Sequence, residues 1–409
     1  MTRPLDGVSI LDMTIWQQGT HATALLADLG ADVIKIEGPD NPDPGRGVLG
    51  LARGEQLNSY FENHNRGKRA ICIDVKQPEG RALLLRLAQD ADVFTNNMRK
   101  GVLERLGLGY EDFRTANPRI IYAVASGYGD EGPERTLPSM DIMAQARGGI
   151  VTMNGDPASS PQIVPAAIGD QVGSYFLAHG ILAALFMRER TGVGQQIDAS
   201  LLGGQVDFQS HMLQGYLFTG AQPPRRGRTE WQPLWNTYQG ADGRWFVMGL
   251  IPQERWWPPL IEALGIHGWE QDERFATREA RMANAAALVE RFDAFFATKP
   301  RDHWVELLSR RDLMAARVQD YPELENDPQV IANRYIVEID HPDGRRVKMV
   351  NHPVRFGAAP DVGVRGAAPE FGQHTEEVLL EAGLSWEEIA SLRDRGVIGA
   401  PAAGSAAAG

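Results

Sequence analysis

Asp170 is the carboxylate that the sequence places best for chemistry. It follows the apolar segment 163–168 and precedes a long apolar run for which we predict a buried helix over Gln171–Arg190. A carboxylate at the start of a helix often acts as an N-cap, accepting hydrogen bonds from backbone N–H groups. The same place also suits a nucleophile, because the helix N-terminus and nearby glycine amides stabilise negative charge that develops on an attacked carbonyl. Both roles remain open, and they are compatible.

A glycine-rich segment at Gly127–Gly132 has the spacing G-x-G-x-x-G and follows a predicted strand. Gly132-Pro133 and the polar residues after it do not open an apolar helix, so no helix N-terminus is available to seat a pyrophosphate. The pattern therefore favours a plain glycine loop over a nicotinamide site. The chain has no P-loop lysine motif, G-x-S-x-G elbow or H-E-x-x-H helix, and its nine histidines lack ligand spacing. We predict no metal site.

Basic residues are concentrated in one part of the chain. The whole sequence has 41 Lys+Arg and 53 Asp+Glu, a net charge of −12, whereas residues 46–105 hold eleven basic and seven acidic residues, a net +4. Such a window suits a small polyanion such as a phosphorylated cofactor, since Arg and Lys neutralise phosphate oxygens. The alternative is a solvated cationic face without a ligand.

The elements that must position these residues alternate between strands and helices in the first half of the chain. Short β-branched runs alternate with segments of helical spacing, which is typical of a parallel sheet covered by helices. The expected fold class is α/β, with Rossmann-like βαβ units. We predict strands at Val8–Met13, Val33–Glu37, Ala70–Val75, Asp92–Asn96 and Ile120–Ser126, and helices at Ala22–Gly30 and Pro78–Asp90.

A Pro/Gly/Arg stretch, Gly220–Arg228, predicts a domain boundary. We expect a large domain over 1–220 completed by 330–399, a linker with a smaller α+β domain over 221–329, and a flexible tail over 400–409. Five of the nine tryptophans fall within 231–257, either as the core of the smaller domain or as an apolar wall for a substrate. Further predictions are a helix at Arg278–Ala297, a turn at Pro342-Asp343-Gly344, and closing helices at Thr375–Gly383 and Trp386–Arg393.

The composition excludes several classes of protein. A length of 409 residues, 43% of them hydrophobic and 23% charged, is that of a globular chain with two or three domains. The net negative charge disfavours nucleic acid as a partner. The single cysteine, Cys72, excludes an internal disulfide or a multi-cysteine metal site and suggests a cytoplasmic address. Neither a signal peptide nor a membrane span is predicted.

Several ordered blocks resemble class III CoA transferases, the group of formyl-CoA transferase, carnitine CoA transferase and alpha-methylacyl-CoA racemase. The resemblance runs from residue 4 to about 396. The blocks that carry it are 4–8 (PLDGV), 11–14 (LDMT), 27–37 (ADLGADVIKIE), 65–69 (NRGKR), 105–110 (RLGLGY) and 191–195 (TGVGQ).

This resemblance implies an interlocked homodimer of ring-like chains, with coenzyme A or acyl-CoA bound as a substrate on the Rossmann-like domain and no tightly bound cofactor. It implies that Asp170 is the catalytic aspartate and that Gln17 lies beside the thioester. The implied CoA contacts are Arg46, Ile73, Lys76, Asn97, Met98, Arg99 and Arg105, with Leu137 and Met140 on the pantetheine side.

The implied reaction moves CoA from a donor acyl-CoA to a free carboxylic acid, through an anhydride and then a CoA thioester on Asp170. A first alternative is racemisation at the alpha carbon, but family racemases have Gly-His-Asp where this chain has Ser139-Met140-Asp141, and methionine cannot move protons. A second alternative is a non-catalytic CoA-binding protein. Gly38 and the segment 228–231 depart from formyl-CoA transferase, which disfavours formyl or oxalyl transfer.

Overall fold

The computed structural model describes residues 3–47 and 57–399, which form two compact units. The first unit comprises the described residues up to Val151, then Ile163–Ala221, then the described residues from Ile331 onward. The second comprises Thr152–Gln162 and Gln222–Val330. Residues 152–162, which we expected in the large domain, belong to the second unit because Arg225 Nη1 donates to the Asp156 and Ser159 carbonyls at 3.1 and 3.0 Å. The predicted tail, 400–409, lies outside the described residues.

A six-stranded parallel sheet organises the first unit, as the alternating pattern predicted. Its strands lie in the order β3-β2-β1-β4-β5-β6, and every neighbouring pair is parallel. The order reverses between β1 and β4, and open sheets of this kind bind ligands in the crevice beyond the carboxyl ends of the strands at such a reversal. The strands are β1 (Ser9–Met13), β2 (Asp32–Glu37), β3 (Arg69–Cys72), β4 (Val93–Asn96), β5 (Ile121–Ser126) and β6 (Gln195–Ser200).

The strand predictions overlap β1 to β5, and the differences are instructive. In β2 five of six residues are buried, as expected for a strand covered on both faces. The strand predicted at Ala70–Val75 ends at Cys72: the N–H of Ile73 still bonds to Glu37 of β2, and the N–H of Asp74 turns away to the carbonyl of Val397. No strand was predicted at β6, whose polar sequence QQIDAS suits a half-exposed edge strand.

Helices cover the faces and carry the chain between strands. Those up to residue 219 are α1 (Gln18–Asp28), α2 (Ser59–Asn65), α3 (Pro78–Ala88), α4 (Val102–Arg105), α5 (Tyr110–Ala116), α6 (Asp141–Gly148), α7 (Ile150–Met153), α8 (Ile168–Thr191), α9 (Leu201–Phe208) and α10 (Ser210–Thr219), with a short 3-10 helix at Pro44–Arg46. Within the described residues no helix is long and apolar enough to cross a membrane.

Helix α8 corrects the prediction for Asp170. The helix begins at Ile168, so Asp170 lies inside its first turn, and the N-cap position belongs to Ala167, which makes no side-chain cap bond. The predicted end is confirmed, since Gly192 closes the helix in the left-handed conformation with φ 75°. Asp170 is therefore no N-cap, and its carboxylate is not used by the backbone of its own helix.

The second unit has its own core. An antiparallel sheet of β7 (Trp235–Gln239), β8 (Trp245–Gly249) and β9 (Ala315–Arg317) accompanies α11 (Gln253–Leu264), α12 (Arg278–Ala283), α13 (Ala285–Phe296), α14 (Arg301–Ser309), α15 (Tyr321–Glu325) and α16 (Pro328–Ala332), with a 3-10 turn at Arg228–Glu230. The helix predicted at Arg278–Ala297 is divided at Asn284.

The aromatic segment 231–257 divides between the core and the surface of the second unit. Tyr238 and Trp257 belong to the core, whereas Trp231, Trp235 and Trp245 are exposed. The first unit closes with the hairpin β10 (Ile336–Asp340) and β11 (Arg346–Val350) and with α17 (Thr375–Glu381) and α18 (Trp386–Asp394), which confirms the helices predicted there.

Candidate active site

A cavity of about 640 Å³ opens at the carboxyl ends of β1, β4 and β5, in the first unit. Its walls come from the segments that follow these strands and from the start of α8. This is the crevice that the reversal of strand order predicts. The lining includes Ile15–Gln18, Asn96–Lys100, Ser126, Gly127, Gly129, Leu137–Ile142, Ala167 and Asp170.

Asp170 offers a carboxyl to this cavity from the first turn of α8. Burial, and next the negative charge of Asp141, raise its pKa to about 7. A carboxyl with such a pKa is a stronger nucleophile when ionised than an ordinary aspartate, and it is ionised in roughly half of the molecules near neutral pH.

Gln17 reaches the cavity from a constrained turn after β1. The preceding residue, Trp16, has φ 63°, a left-handed conformation that is costly for a residue with a bulky side chain. Asp43 Oδ1 accepts the Trp16 N–H at 3.0 Å, and the Asn97 amide accepts from the N–H of Ile15 at 3.0 Å and donates to its carbonyl at 2.6 Å. Three separate bonds thus hold the turn that presents Gln17.

Buried charges lie behind this turn. Lys35 Nζ is 2.8 Å from Asp43 Oδ2 and donates to the Thr14 carbonyl at 2.9 Å, with both ionic side chains fully buried. Lys68 Nζ is 2.9 Å from Asp12 Oδ2, again with no exposure. Burial lowers the pKa of Lys68 to about 8, although Asp12 opposes this. Burial raises the pKa of Asp12, but the charges of Lys68 and Lys35 and the hydrogen bonds from Thr14 and Thr23 together lower it.

Seven of the residues expected at the site come together in the cavity. They are Asp170, Gln17, Asn97, Met98, Arg99, Leu137 and Met140. Asn97 is committed at both ends of its amide to the backbone of Ile15, so it shapes the wall and has little left to offer a ligand. Leu137 and Met140 are about half exposed and form an apolar stretch of the wall.

The other four expected contacts lie outside the cavity lining. Arg46 pairs with Glu37 at 2.6 Å and its guanidinium carbon is 4.0 Å from the centroid of the Phe61 ring. Ile73 is 1% exposed and packs in the core. Lys76 and Arg105 are exposed, and neither lines the cavity. Contacts of these four with CoA stay predictions.

In its described residues, which leave out 48–56, the cationic window at 46–105 is largely structural. Several of its basic side chains pair with carboxylates of the N-terminal 45 residues, which accounts for the local surplus of positive charge. The pairs are Arg46 with Glu37, Arg66 with Asp28, Lys68 with Asp12 and Arg69 with Asp32. The window contributes Arg99 and Lys100 to the cavity, and Lys100 is already paired with Asp130.

The glycine segment 127–132 is a loop, as predicted. Gly127 and Gly129 line the cavity, and α6 begins only at Asp141. A Cβ on Gly127 would lie 2.4 Å from the Ser139 Cβ, so the absence of a side chain there allows the two segments to touch.

Sequence reasoning missed two cavity residues with strong effects. Tyr60 lines the cavity, and burial and then the charge of Asp170 raise its pKa. Asp141 entered the sequence argument only as the neighbour of Met140, but it contacts the start of α8 directly. Its place at the first residue of a helix with an apolar face was the available signal.

Comparison with known proteins matches residues 5–375 to the model of CoA-transferase family III. The chain is 34% identical over 399 residues to a succinyl-CoA–D-citramalate CoA-transferase of Chloroflexus aurantiacus, covering 97% of this chain and 98% of that one. It is 32% identical to an acetyl-CoA:oxalate CoA-transferase of Acetobacter aceti, covering 90% and 93%. A CAIB/BAIF family protein from Brucella suis superposes with a TM-score of 0.83 at 32% identity, covering 93% of this chain and all of the other.

Proposed function

The chain belongs to CoA-transferase family III and is an enzyme of the CoA-transferase type; from this premise we propose that Asp170 accepts an acyl group and then CoA during transfer to a free carboxylic acid. The observation that carries the proposal is the placement of a half-buried carboxyl with a raised pKa in the cavity of about 640 Å³ at the carboxyl ends of β1, β4 and β5.

The first half-reaction consumes the donor thioester. The ionised Asp170 carboxylate attacks the thioester carbonyl carbon, the C–S bond breaks, and CoA leaves as a thiolate, giving a mixed anhydride. The thiolate then attacks the Asp170 carbonyl carbon. The donor acid leaves as a carboxylate that carries one oxygen from Asp170, and Asp170 is left as a CoA thioester.

The second half-reaction is the reverse with a different acid. The acceptor carboxylate attacks the Asp170 thioester and releases the CoA thiolate, which attacks the acceptor carbonyl carbon of the new anhydride. Acceptor acyl-CoA forms and Asp170 regains its carboxylate with one oxygen from the acceptor. No proton is transferred in any step, so the chemistry needs no histidine, which accords with Met140 in the wall.

The surroundings of Asp170 support this cycle. The first turn of α8 supplies a positive dipole end that stabilises oxyanions formed next to the carboxyl. Gln17 offers an amide N–H₂ to the thioester or anhydride oxygen from the facing turn, and Arg99 offers its guanidinium to CoA phosphate. The apolar stretch at Leu137 and Met140 suits the pantetheine chain and keeps water from the anhydride.

The substrate classes are an acyl-CoA donor and a carboxylic acid acceptor, the classes that the names of the relatives contain. The acids themselves are to be identified by incubating a panel of acyl-CoA donors with a panel of carboxylic acids and measuring the masses of new acyl-CoA species.

Oxygen transfer tests the mechanism. After one turnover with an acceptor labelled with oxygen-18 in its carboxylate, we expect the peptide that contains Asp170 to gain one heavy oxygen by mass spectrometry. Asp170→Asn should lower exchange by at least about 10³-fold and abolish the CoA adduct on the protein. The matched control is Asp198→Asn, another cavity-lining carboxylate, which should keep exchange within about tenfold of the wild type.

Two outcomes would contradict the mechanism. Exchange without label in the Asp170 peptide would mean direct transfer between substrates. Deuterium incorporation at the alpha carbon of an acyl-CoA in heavy water, without exchange of CoA, would favour the racemase alternative.

We also propose that the active form is a homodimer. Helices α8 to α10 present large apolar side chains to solvent in the isolated chain, among them Phe186 at 68%, Leu217 at 62% and Phe218 at 81% exposure. Exposed apolar side chains of this size favour a partner, and a second copy of the chain is the occupant that we propose. Analytical ultracentrifugation should give twice the chain mass, and Leu217→Glu/Phe218→Glu should shift the protein to the monomer. A monomeric wild type would contradict the proposal.

A further inference from the structure

The segment that delivers Asp170 to the cavity is strained. Ala166 and Ala167 have φ values of 68° and 48°, and two consecutive non-glycine residues in the left-handed region are costly. The helix that begins next has no cap from its own N-cap side chain. The surrounding structure must therefore hold this segment in place.

Asp141 supplies the missing cap from another helix. Its Oδ1 accepts the N–H of Gly169 at 2.7 Å and the N–H of Asp170 at 3.4 Å. A Cβ on Gly169 would lie 2.9 Å from this oxygen, so glycine is what allows the close approach. The backbone of the reacting residue is thus bonded to a carboxylate 29 positions earlier in the chain.

Gln145 holds the other end of the strained segment. It is fully buried, its Oε1 accepts the N–H of Val164 at 2.9 Å, and its Nε2 donates to the carbonyl of the same residue at 3.0 Å. The same Nε2 also donates to Asp141 Oδ2 at 2.8 Å. Asp141 and Gln145 are four residues apart on α6, so they share one face of the helix.

We propose that Asp141 and Gln145 form a clamp that positions the Asp170 carboxyl for attack, and that the charge of Asp141 sets the pH range in which Asp170 reacts. This inference rests on the proposed function of Asp170. Both are positioning residues: they act through Val164, Gly169 and the backbone of Asp170.

The electrostatics agree with the geometry. Asp141 is the charged group that raises the pKa of Asp170 beyond the effect of burial. Tyr60 of α2 lines the same cavity and is neutral at physiological pH, because burial, Asp170 and Asp43 all raise its pKa. Among the described residues no cation lies within 4 Å of Asp141 or Asp170 in an ion pair, so the repulsion between the two carboxylates is not cancelled.

The test compares two variants across pH. The wild-type kcat should rise with pH around a midpoint near 7, since Asp170 must be ionised to attack. Asp141→Asn keeps an oxygen for the two N–H groups but removes the charge, and we expect the midpoint to fall by about one pH unit. Gln145→Met removes the hold on Val164 without changing charge, and we expect kcat to fall about 10- to 100-fold at an unchanged midpoint.

Further controls separate the causes. In Asp141→Asn/Gln145→Met the lower midpoint should persist, because it follows the charge of Asp141 and not the fit of the asparagine amide against Gln145. Asp90→Asn, at an exposed carboxylate after α3, should change neither kcat nor midpoint. Unchanged KM for acyl-CoA, with unchanged circular dichroism, would show that the cavity and fold survive in each variant.

The clamp is overturned if Asp141→Asn and Gln145→Met both keep the wild-type kcat and midpoint while Asp170→Asn is inactive; the proposed function would then stand. If Asp170→Asn itself retains exchange, the proposed function fails. If one clamp variant does not fold, the other, together with its pH profile, still decides the question.

Discussion

Two segments of the cavity wall present the two residues central to the proposed chemistry, Gln17 and Asp170, and they are held in different ways. The segment before Gln17 contains the left-handed Trp16, and the segment before Asp170 contains the left-handed Ala166 and Ala167. Both store backbone strain, and both are held by a carboxylate from elsewhere in the first unit, Asp43 in one case and Asp141 in the other.

The two carboxylates differ in their compensation. Asp43 is paired with Lys35, and both side chains are fully buried, so the ionic contact belongs to the framework of the wall. Asp141 has no cationic partner within 4 Å among the described residues, and its charge acts on Asp170 instead. The charge of Asp43, which Lys35 neutralises, thus stabilises the cavity wall, whereas the unneutralised charge of Asp141 raises the pKa of Asp170. Removal of the Asp43 carboxylate and removal of the Asp141 carboxylate should therefore have different effects.

The largest contrast is expected in stability. Asp43→Ala leaves the Thr14 carbonyl as the hydrogen-bond partner of the buried Lys35 ammonium among the described residues, and loss of one partner of a buried pair costs about 3–5 kcal/mol. Asp141→Ala removes a helix cap from a partly exposed site, which costs about 0.5–2 kcal/mol. Urea unfolding of both variants beside the wild type, with midpoints compared at a common slope, measures the difference.

Equal losses of unfolding free energy in Asp43→Ala and Asp141→Ala would contradict this contrast, because they would show that the two carboxylates have the same structural role. Asp43→Asn is the matched control. It keeps an oxygen for the N–H groups of Trp16 and Gly45 but not the charge, so its loss reports the ion pair alone.

The same contrast explains which parts could be predicted from sequence. The parallel sheet followed from local patterns, because alternating β-branched runs and helical segments define strands and helices within a few residues. Asp170 was found for the same reason: its place at the start of a long apolar helix is a local feature. Gln17 was identified only by resemblance, since no spacing in the sequence marks it.

What sequence could not reveal were pairings between distant residues. Lys35 lies in a run, VIKIE, that predicts a strand but says nothing of the partner that neutralises a buried ammonium. The basic residues at 46–105 suggested a polyanion site, whereas Arg66, Lys68 and Arg69 pair with acids of the N-terminal strands and helix. Asp141 reaches Gly169 and Asp170 across 28 and 29 positions, beyond any local pattern.

The smallest expected effect concerns the backbone strain at Ala166 and Ala167, in the segment before Asp170. Ala167 occupies the N-cap of α8 at φ 48° and ψ 51°, where an L-residue costs about 1–2 kcal/mol and glycine does not. Glycine also has more conformational freedom in the unfolded chain, and this lowers the free energy of unfolding by about 0.5–1 kcal/mol, which offsets part of the strain that is relieved. We therefore expect Ala167→Gly to raise the free energy of unfolding by roughly 0.5–1 kcal/mol, measured by urea unfolding.

The control is the same substitution in a helix interior. Ala390 is exposed within α18, where Ala→Gly should lower the free energy of unfolding by about 1 kcal/mol, so the two variants should move in opposite directions. A loss at both positions would mean that the clamp of Asp141 and Gln145 relieves the left-handed turn of its strain. The segment before Asp170 would then carry no more strain than an ordinary helix start, and of the two segments only the one before Gln17 would be strained.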